Sequence, residues 1–301
     1  MNIMVTGGAG FIGSHIVDAL AEAGHRVAVV DNFSTGKKSH VHRDAELFET
    51  DIRDGDGLAV AFAAVCPEVV IHHAAQANVR TSIQHPLADA GVNILGSIQV
   101  LEMCRQYGAR KVIYASSAAV YGVPEFLGIT EKHPVKPQSA YGISKHTVEH
   151  YLDVYAQLHG LDYTVLRYAN VYGPRQDPHG EGGVVSIFVD HLLNGKQPIV
   201  YGDGWQTRDF VYVKDVVRAN LAALHKGSRE VFNIGTNAQT SVNELLVTMG
   251  RAFGRVIEPA YHASRPGDIE HSRLDVALAR ERLGWEPTFT LLDGLAETSR
   301  R

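Results

Sequence analysis

The chain has few cysteines and no long apolar run, and each scarcity excludes a class of protein. Among its 301 residues only Cys66 and Cys104 are cysteines, too few for a disulfide framework and without the paired spacing of a zinc site. The longest apolar runs, such as 69–71, have the length of strands, so no membrane-spanning helix is expected. The first apolar strand begins at Asn2, which leaves no room for a cleaved signal peptide, and we expect a cytoplasmic protein.

Clustered positive charge is also missing. The 28 lysines and arginines stand against 33 aspartates and glutamates, a formal net charge of -5, and no basic cluster occurs. This balance argues against nucleic acid or an anionic membrane as the main partner. The 16 histidines are scattered, and the densest pair, His72-His73, ends an apolar strand instead of showing helical metal-ligand spacing. No metal is therefore expected.

What the sequence does contain is a regular alternation of short apolar runs and helical stretches. This βαβ rhythm predicts a parallel sheet covered by helices on both faces, with ligands bound at the carboxyl ends of the strands. The predicted strands are Ile3–Thr6, Arg26–Asp31, Val69–His73, Lys111–Ser116 and Asp162–Arg167, and the predicted long helices are Phe11–Ala23, Pro86–Tyr107 and Ala140–Gly160.

After Val171 the sequence becomes richer in loops and shorter elements. The predicted fold class is α/β, a Rossmann-type doubly wound parallel sheet with a smaller mixed α/β C-terminal lobe for the substrate. We place the Rossmann-type domain at residues 1–170 and the second lobe at 171–301, with part of 205–240 returning to the first domain. A capping box at Ser241 and Glu244 predicts a helix in the second lobe.

A glycine-rich turn joins the first strand to the first helix. Within residues 6–13 (TGGAGFIG), Gly7 permits the turn, Gly10 the close approach of a pyrophosphate and Gly13 the packing of the helix. Asp31, eighteen residues past Gly13, ends the next strand, where a carboxylate accepts hydrogen bonds from the adenosine ribose and repels a 2′-phosphate. This pattern predicts NAD in preference to NADP.

Tyr141 and Lys145 stand four residues apart, which on a helix places the phenol and the ammonium on one face. A tyrosine base poised near pH 7 needs its pKa lowered from about 10 by roughly 3 units, or about 4 kcal/mol. A unit charge about 6 Å away supplies about 3 kcal/mol at an effective dielectric near 20, so Lys145 needs a second cation such as oxidised nicotinamide. Ser116 and Ser117 end a predicted strand where the nicotinamide would lie. Together these residues predict hydride chemistry, the alternative being a solvated Tyr and Lys on a helix surface.

These motifs resemble those of the extended short-chain dehydrogenase/reductases, most closely the UDP-glucose 4-epimerases and their N-acetylhexosamine relatives within that family. Residues 167–178 (RYANVYGPRQDP) resemble the family's segment between cofactor and nucleotide, and 202–210 (GDGWQTRDF) its phosphate-binding stretch. Residues 265–268 (RPGD) are similar to the motif that closes over the nucleotide, and the resemblance extends from Gly7 to 283–287.

The resemblance implies that Tyr141 is the base, Lys145 its electrostatic partner and nicotinamide-ribose ligand, and Ser117 a hydroxyl that orients the reacting sugar oxygen. The implied cofactor-binding residues are Gly7, Gly10, Phe11, Ile12, Gly13, Asp31, Asn32, Ser34, Gly36, Asp51, Ile52, Ala74, Ala75, Gln76, Asn93, Ser116, Tyr141, Lys145 and Tyr168. The implied substrate-binding residues are Ser117, Tyr141, Asn170, Val184, Val185, Tyr201, Arg208, Arg265, Asp268 and Ser272. For Asp51 an exposed turn aspartate is the alternative.

The resemblance further implies that Asn170, Arg208 and Arg265 bind a diphosphate and that Asp268 binds the uridine ribose. Guanidinium forks match phosphate oxygens, which supports the two arginines independently, a salt bridge within the C-terminal lobe being the alternative. Tyr201 stacks on the uracil in this reading, with a core aromatic as the alternative.

Small residues stand at four positions where members of the family differ. Ala118 and Ala119 follow the serine pair, where dehydratases and decarboxylases place acidic residues, so those reactions are disfavoured. Ala169 stands where epimerases often carry phenylalanine, which indicates a roomier sugar site. Ser272 corresponds to the position that borders the hexose 2-position and leaves volume for an acetamido group, a solvated serine being the alternative.

The implied function is the reversible inversion at C4 of a UDP-hexose through a transient 4-keto sugar, with tightly bound NAD. UDP-glucose and UDP-galactose are the expected substrates, with UDP-N-acetylglucosamine and UDP-N-acetylgalactosamine as an extension. The alternatives are a UDP-glucuronate 4-epimerase or another NAD-dependent sugar-nucleotide oxidoreductase, and, more remotely, a non-catalytic NAD-sensing regulator.

The resemblance also implies a homodimer. Two predicted helices, Pro86–Tyr107 and Ala140–Gly160, resemble those with which family members form a four-helix interface. The apolar residues that recur there at helical spacing are Ile94, Ile98, Leu101, Val148, Leu152 and Tyr155.

Overall fold

A computed structural model of the chain describes residues 1–179, 183–264 and 269–299. Its strands are β1 Asn2–Thr6, β2 Arg26–Asp31, β3 Glu46–Glu49, β4 Val69–His72, β5 Lys111–Ser117, β6 Asp162–Tyr168, β7 Asn170–Tyr172, β8 Ile199–Tyr201, β9 Thr207–Arg208, β10 Phe210–Tyr212, β11 Glu230–Ile234, β12 Thr240–Ser241 and β13 Ala260–His262. Its α-helices are α1 Phe11–Glu22, α2 Gly55–Val65, α3 Val79–Gln84, α4 Pro86–Ala90, α5 Ser97–Tyr107, α6 Ala140–His159, α7 Val184–Leu193, α8 Val213–Ala223, α9 Val242–Phe253 and α10 Leu291–Thr298.

Seven strands form a parallel sheet in the order β11-β6-β5-β4-β1-β2-β3. From β1, the chain adds β2 and β3 on one side of the sheet and then β4, β5 and β6 on the other. The loops after β1 and β4 therefore diverge and leave a crevice at the carboxyl ends of these two strands. The predicted Rossmann-type sheet is therefore confirmed, and all five predicted strands form within one residue of their expected bounds.

Both faces of the sheet are buried. In β1, Ile3 and Val5 enter the core cluster that includes α1 and α8, whereas Met4 enters the cluster that includes α2, α5 and α6. This alternation explains why the strand sequences read as continuous apolar runs, because a parallel sheet covered on both sides has no polar face.

The long helix predicted over Pro86–Tyr107 forms, but it contains a π-helical turn at Gly91–Gly96 between α4 and α5. The helix predicted over Ala140–Gly160 forms as α6 and ends at Gly160, which has φ 70°. The capping box at Ser241 and Glu244 opens α9 as expected.

The second lobe packs α7, α9 and α10 around an aromatic and aliphatic core that includes Phe188, Tyr212 and Leu245. Buried Asp215 joins α8, which packs against the sheet, to the C-terminal segment, since its carboxylate accepts hydrogen bonds from the main-chain amides of Thr288 (3.0 Å) and Phe289 (3.1 Å). Among the described residues there is no helix with the length and apolar character to span a bilayer.

One expectation about helix faces is wrong. Leu101, Val148, Leu152 and Tyr155 were expected on a surface for a second copy, but all four are buried in the core between α5, α6 and the sheet. The exposed large apolar side chains of this region are Leu87 on α4, Leu95 in the π-helical turn, and Ile143, Tyr151, Val154 and Leu158 on another stripe of α6. When a helix carries two apolar stripes, both show the same helical spacing in the sequence. On α6 the stripe that contains Val148, Leu152 and Tyr155 is the one that packs in the core.

Candidate active site

A cavity of about 770 Å³ opens at the carboxyl ends of the central strands, between the sheet and the second lobe. Most of the residues that the sequence predicts for cofactor and substrate line it. They are Gly7, Gly10, Phe11, Ile12, Gly13, Asp31, Asn32, Ser34, Asp51, Ile52, Ala74, Ala75, Gln76, Ser116, Ser117, Tyr141, Lys145, Tyr168, Asn170, Arg208 and Ser272.

Five predicted residues lie outside this wall. Asn93 is buried behind it and supports the wall through the main chain of Gln76, to which its side chain bonds at 2.8 and 3.0 Å. Gly36 packs beside Asp31, while Val184 and Val185 begin α7 and pack in or against the core of the second lobe. Tyr201 in β8 makes an edge contact with the ring of His262. Arg265 and Asp268 fall outside the described residues.

The turn after β1 requires glycine at two positions. Gly7 has φ 70°, and a Cβ there would lie 2.6 Å from the amide nitrogen of Ala74. A Cβ on Gly13 would lie 2.2 Å from the carbonyl oxygen of Gly7. The first turn of α1 therefore approaches the β1 loop closely, and the N-cap, Gly10, places no side chain over the amides. Such a helix N-terminus fits a pyrophosphate.

The Asp31 carboxylate is held in place by the main chain. It accepts hydrogen bonds from the amides of Ala9 (2.9 Å) and Phe33 (2.8 Å). Nearby, Asn32 donates to Asp51 at 2.7 Å, and hydrogen bonds from Arg53 hold the pKa of Asp51 below its usual range. The fixed carboxylate and the glycine cradle together fit the adenosine and pyrophosphate parts of NAD.

The main chain of Tyr141 is fixed at the start of α6. Its amide donates to Ser82 Oγ at 3.1 Å, and its carbonyl accepts from Ser144 Oγ at 3.0 Å. The N-cap residue Ser139 accepts from the amide of Gly142 at 3.1 Å, which sets the first turn. The phenol is therefore carried by a helix end that three serines hold in place.

Lys145 lies on the same helix face, as the spacing predicts. Its Nζ is 5.9 Å from the centroid of the Tyr141 ring and 5.1 Å from that of Tyr114. The ammonium donates to the carbonyl oxygen of Ala115 in β5 at 2.8 Å, so it is tied to the strand that ends in the serine pair. The side chain is buried, which strengthens its electrostatic effect on nearby groups.

The serine pair points to two different partners. Ser117 lines the cavity, and its Oγ accepts from the amide of Ala119 at 3.2 Å. Ser116 Oγ donates to Oε1 of Glu149 on α6 at 2.6 Å. Ala118 and Ala119 also line the cavity, so no carboxylate is present where an elimination would need one.

A buried ion pair between Glu149 and Arg167 is not predicted by the sequence motifs. Arg167 Nε donates to Oε1 at 2.9 Å and Nη2 to Oε2 at 2.5 Å. Burial alone would raise the pKa of Glu149, but hydrogen bonds from Arg167, His146 and Ser116 and the charge of Arg167 lower it to about 2. The helical spacing of Tyr141, Lys145 and Glu149 was the available signal.

The densest histidine pair belongs to the wall behind the glycine-rich turn. His72 is buried and bonds to Thr6 Oγ1 (2.6 Å) and Ser97 Oγ (2.9 Å), and its burial lowers its pKa to about 3. His73 lines the cavity, with its Nε2 at 3.2 Å from the hydroxyl of Tyr168. Burial lowers the pKa of His73 to about 3 as well, so both rings are neutral at pH 7.

We expect His72 to make the protein sensitive to acid. Its pKa is depressed in the folded state, so its contribution to stability is complete above about pH 6.5 and is lost as the pH falls toward 3. The unfolded state then binds a proton that the folded state does not, and the free energy of unfolding should fall by about 2 kcal/mol from this group between pH 7 and pH 5. Urea unfolding at the two pH values measures it. In His72→Gln this component should disappear, and an equal loss in both proteins would contradict the assignment.

The comparisons with known proteins agree with this geometry. The model of the NAD dependent epimerase/dehydratase family matches residues 3–235. The UDP-glucose 4-epimerase of Mycolicibacterium smegmatis is 44% identical over 305 residues, covering 99% of this chain and 97% of that protein.

Two crystal structures are similar to the chain over almost its full length. That of UDP-glucose 4-epimerase with UDP-glucose from Thermotoga maritima has a TM-score of 0.97 and 49% identity, covering 99% of this chain and 97% of that one. That of the Thermus thermophilus UDP-glucose 4-epimerase complex with NAD has a TM-score of 0.93 and 44% identity, covering 99% and 98%. The chain belongs to the NAD dependent epimerase/dehydratase family.

Proposed function

We propose that the chain is an NAD-dependent UDP-glucose 4-epimerase, which inverts C4 of a UDP-hexose reversibly and without net redox change. The observation that carries this proposal is the placement of Tyr141 and Lys145 on one face of α6, in the wall of the same cavity as Ser117 and the glycine-rich turn. A base, a cation and a dinucleotide cradle are thus in one site, as hydride transfer to and from a sugar carbon requires.

Each group has a distinct task. Bound NAD supplies a hydride acceptor that can return the hydride to the same carbon. Tyr141 removes the proton from the 4-hydroxyl and gives it back, while Lys145 stabilises the phenolate and Ser117 orients the reacting oxygen. The 4-keto sugar turns over in the site while its nucleotide stays anchored, so the hydride returns to the opposite face of C4 and the product is the C4 epimer. The 4-keto sugar must therefore stay bound between the two steps.

We assign the diphosphate to the side of the cavity formed by Asn170 and Arg208. Arg208 Nη1 donates to the carbonyl oxygen of Thr207 at 2.8 Å, which holds the guanidinium at the cavity wall where its fork can meet phosphate oxygens. Arg265 and Asp268 remain part of the proposal as ligands of the diphosphate and the uridine ribose, although they lie outside the described residues. The proposal also assigns Tyr201, Val184 and Val185 to the nucleotide, although these three residues do not line the cavity.

The second candidate is a UDP-glucuronate 4-epimerase, which would use the same base and cofactor. A panel of UDP-sugars incubated with the protein, with products identified by NMR, separates the two. We expect UDP-glucose and UDP-galactose to interconvert without added NAD and without release of NADH. Turnover of UDP-glucuronate alone, or stoichiometric consumption of free NAD, would contradict the proposal.

A cytoplasmic location and a boundary between the cofactor and substrate lobes near residue 170 belong to the same proposal.

We further propose that the sugar site admits N-acetylated hexoses, because Ser272 and Ala169 both line the cavity and both are small. Ser272→Tyr should lower turnover of the UDP-N-acetylhexosamine pair by about 5- to 150-fold, since overpacking a closed pocket costs about 1 to 3 kcal/mol. UDP-glucose turnover should change much less. Ser272→Ala is the control and should leave the turnover of both substrate pairs near that of wild type. Equal slowing of both substrate pairs by Ser272→Tyr would contradict the proposal that residue 272 controls access of the acetamido group.

We propose a homodimer that uses the exposed stripe of α6 and the π-helical turn before α5. Leu158 is 71% exposed on α6, and Leu95, Ile143 and Val154 continue the exposed apolar surface. Leu158→Glu should convert a dimer to monomers in light scattering at micromolar concentration, because a charge in an apolar interface loses its hydration. The matched control is Val60→Glu, at an apolar residue 66% exposed on α2. A wild-type mass of one chain would contradict the dimer.

A further inference from the structure

The buried ion pair lies on the stripe of α6 that carries the proposed base. Glu149 follows Lys145 by four residues and Tyr141 by eight, so the three side chains succeed one another along one helix face. Glu149 is 7% exposed and Arg167 is 4% exposed. A carboxylate so close to Lys145 would oppose the effect of the ammonium on Tyr141 unless its charge were compensated.

Glu149 joins α6 to the end of β5. Its Oε1 accepts from Ser116 Oγ at 2.6 Å, and the preceding carbonyl, that of Ala115, accepts from Lys145 at 2.8 Å. Two successive residues at the end of β5 are thus tied to two successive turns of α6. These bonds set the position of Ser117, the next residue of the strand, relative to the helix that carries Tyr141.

Groups on several helices and strands compensate the negative charge of the Glu149 carboxylate. Arg167 on β6 meets both carboxylate oxygens, and His146 Nδ1 on α6 lies 2.8 Å from Oε2. Arg167 Nη1 also donates to the hydroxyl of Tyr121 at 3.0 Å. Two other described titratable groups interact with this pair, Tyr114 with Glu149 and Glu131 with Arg167. Lys145 lies over the ring of Tyr114, and the charge of Asp89 also acts on Tyr114.

We propose that Arg167 is a positioning residue of the reaction. By neutralising Glu149 it lets that carboxylate fix the serine strand to α6 without weakening the positive potential that Lys145 exerts on Tyr141. If Arg167 lost its charge, Glu149 would interact with Lys145 one helical turn away, as Lys and Glu four residues apart do. The inference rests on the role of Tyr141 in the proposed function.

Ionisation of Tyr141 can be measured without turnover. Ultraviolet difference titration of each variant against the same variant carrying Tyr141→Phe isolates the one phenol in the NAD-bound protein. Eight residues of helix span about 12 Å, and a unit charge at that distance in an effective dielectric near 20 shifts a titration midpoint by about one pH unit. Arg167→Gln should therefore raise the midpoint by about one unit, and Glu149→Gln should lower it by a similar amount.

Two further variants separate charge from packing. Arg167→Gln combined with Glu149→Gln removes both charges and should restore the wild-type midpoint, and Arg167→Lys keeps the charge and should leave it unchanged. If either unpaired variant does not fold, Arg167→Lys combined with Glu149→Gln supplies an unpaired cation and should lower the midpoint. Midpoints that stay constant, or that move in the same direction in both single variants, would overturn the proposal.

The failure of this inference differs from the failure of the proposed function. Variants that lose epimerase activity with no change in the Tyr141 midpoint would show a purely structural ion pair and leave the epimerase assignment intact. Midpoints that shift as expected in a protein that does not epimerise any UDP-hexose would support the charge balance and contradict the assigned reaction.

Discussion

Tyr141→Phe should lower kcat for UDP-glucose at least about a hundredfold while the protein keeps its NAD. Removal of a positioned acid–base group typically costs about 10² to 10⁴ in rate. The substitution removes only the hydroxyl, and the ring and main-chain bonds to Ser82 and Ser144 stay in place. Steady-state assay of UDP-galactose formation measures the loss, and NAD released on denaturation measures retention of the cofactor.

The matched control for this variant is Tyr151→Phe, ten residues further along α6 on its exposed side. It loses the same hydroxyl from the same helix and should retain wild-type activity. Activity of Tyr141→Phe within tenfold of wild type would show that another group moves the proton.

Lys145→Met should lower kcat at pH 7 by about a hundredfold and move the acid limb of the kcat profile upward by about 2 pH units. A unit charge about 6 Å from the phenol supplies about 3 kcal/mol at an effective dielectric near 20, and this is the stabilisation that the variant loses. The methionine keeps most of the buried side-chain volume. A pH series of kcat, with cofactor content measured at each pH, gives the shift.

Part of the lost rate should return at high pH, because the phenol then ionises without the ammonium. Lys196→Met, at an exposed position in the loop after α7, is the control and should not alter the profile. A lower kcat with an unshifted acid limb in protein that retains NAD would indicate that Lys145 serves only to hold the strand through Ala115.

The sequence could predict those parts of the site that are set by local spacing. The positions of Tyr141 and Lys145 on one face follow from helical periodicity, and the need for glycine at Gly7 and Gly13 follows from the tight βα turn. The parallel sheet follows from five apolar runs. The family resemblance drawn from these motifs is confirmed by the family model.

Helical spacing could place Glu149 on the same helix face as Tyr141 and Lys145, but its pairing with Arg167 could not be predicted in this way. It depends on the packing of α6 against β6, and no local pattern states which strand lies beside which helix. The bounds of edge strand β3, which precedes Asp51, could not be predicted for a different reason. Its residues Glu46 and Glu49 face solvent at the sheet margin, so it lacks the continuous apolar run of the central strands.

The helix faces show a limit of periodicity itself. On α6, Val148 and Leu152 are buried against the sheet, whereas Val154 and Leu158 are exposed, and both pairs have helical spacing. Only the tertiary packing decides which stripe remains for a partner. Asn93 illustrates a similar point, because its residue type fits a cofactor ligand, but its side chain supports the Gln76 loop from behind the cavity wall.

The return of the hydride to the carbon that released it is the central claim, and isotopic labelling tests it most directly. UDP-glucose carrying deuterium at C4 is incubated with the purified protein in ordinary water, with no NAD added, and the product is examined by NMR and mass spectrometry. We expect UDP-galactose that retains the deuterium at C4 and an unchanged content of oxidised NAD at the end. Protium at C4, or a 4-keto product that accumulates in step with reduced cofactor, would contradict it.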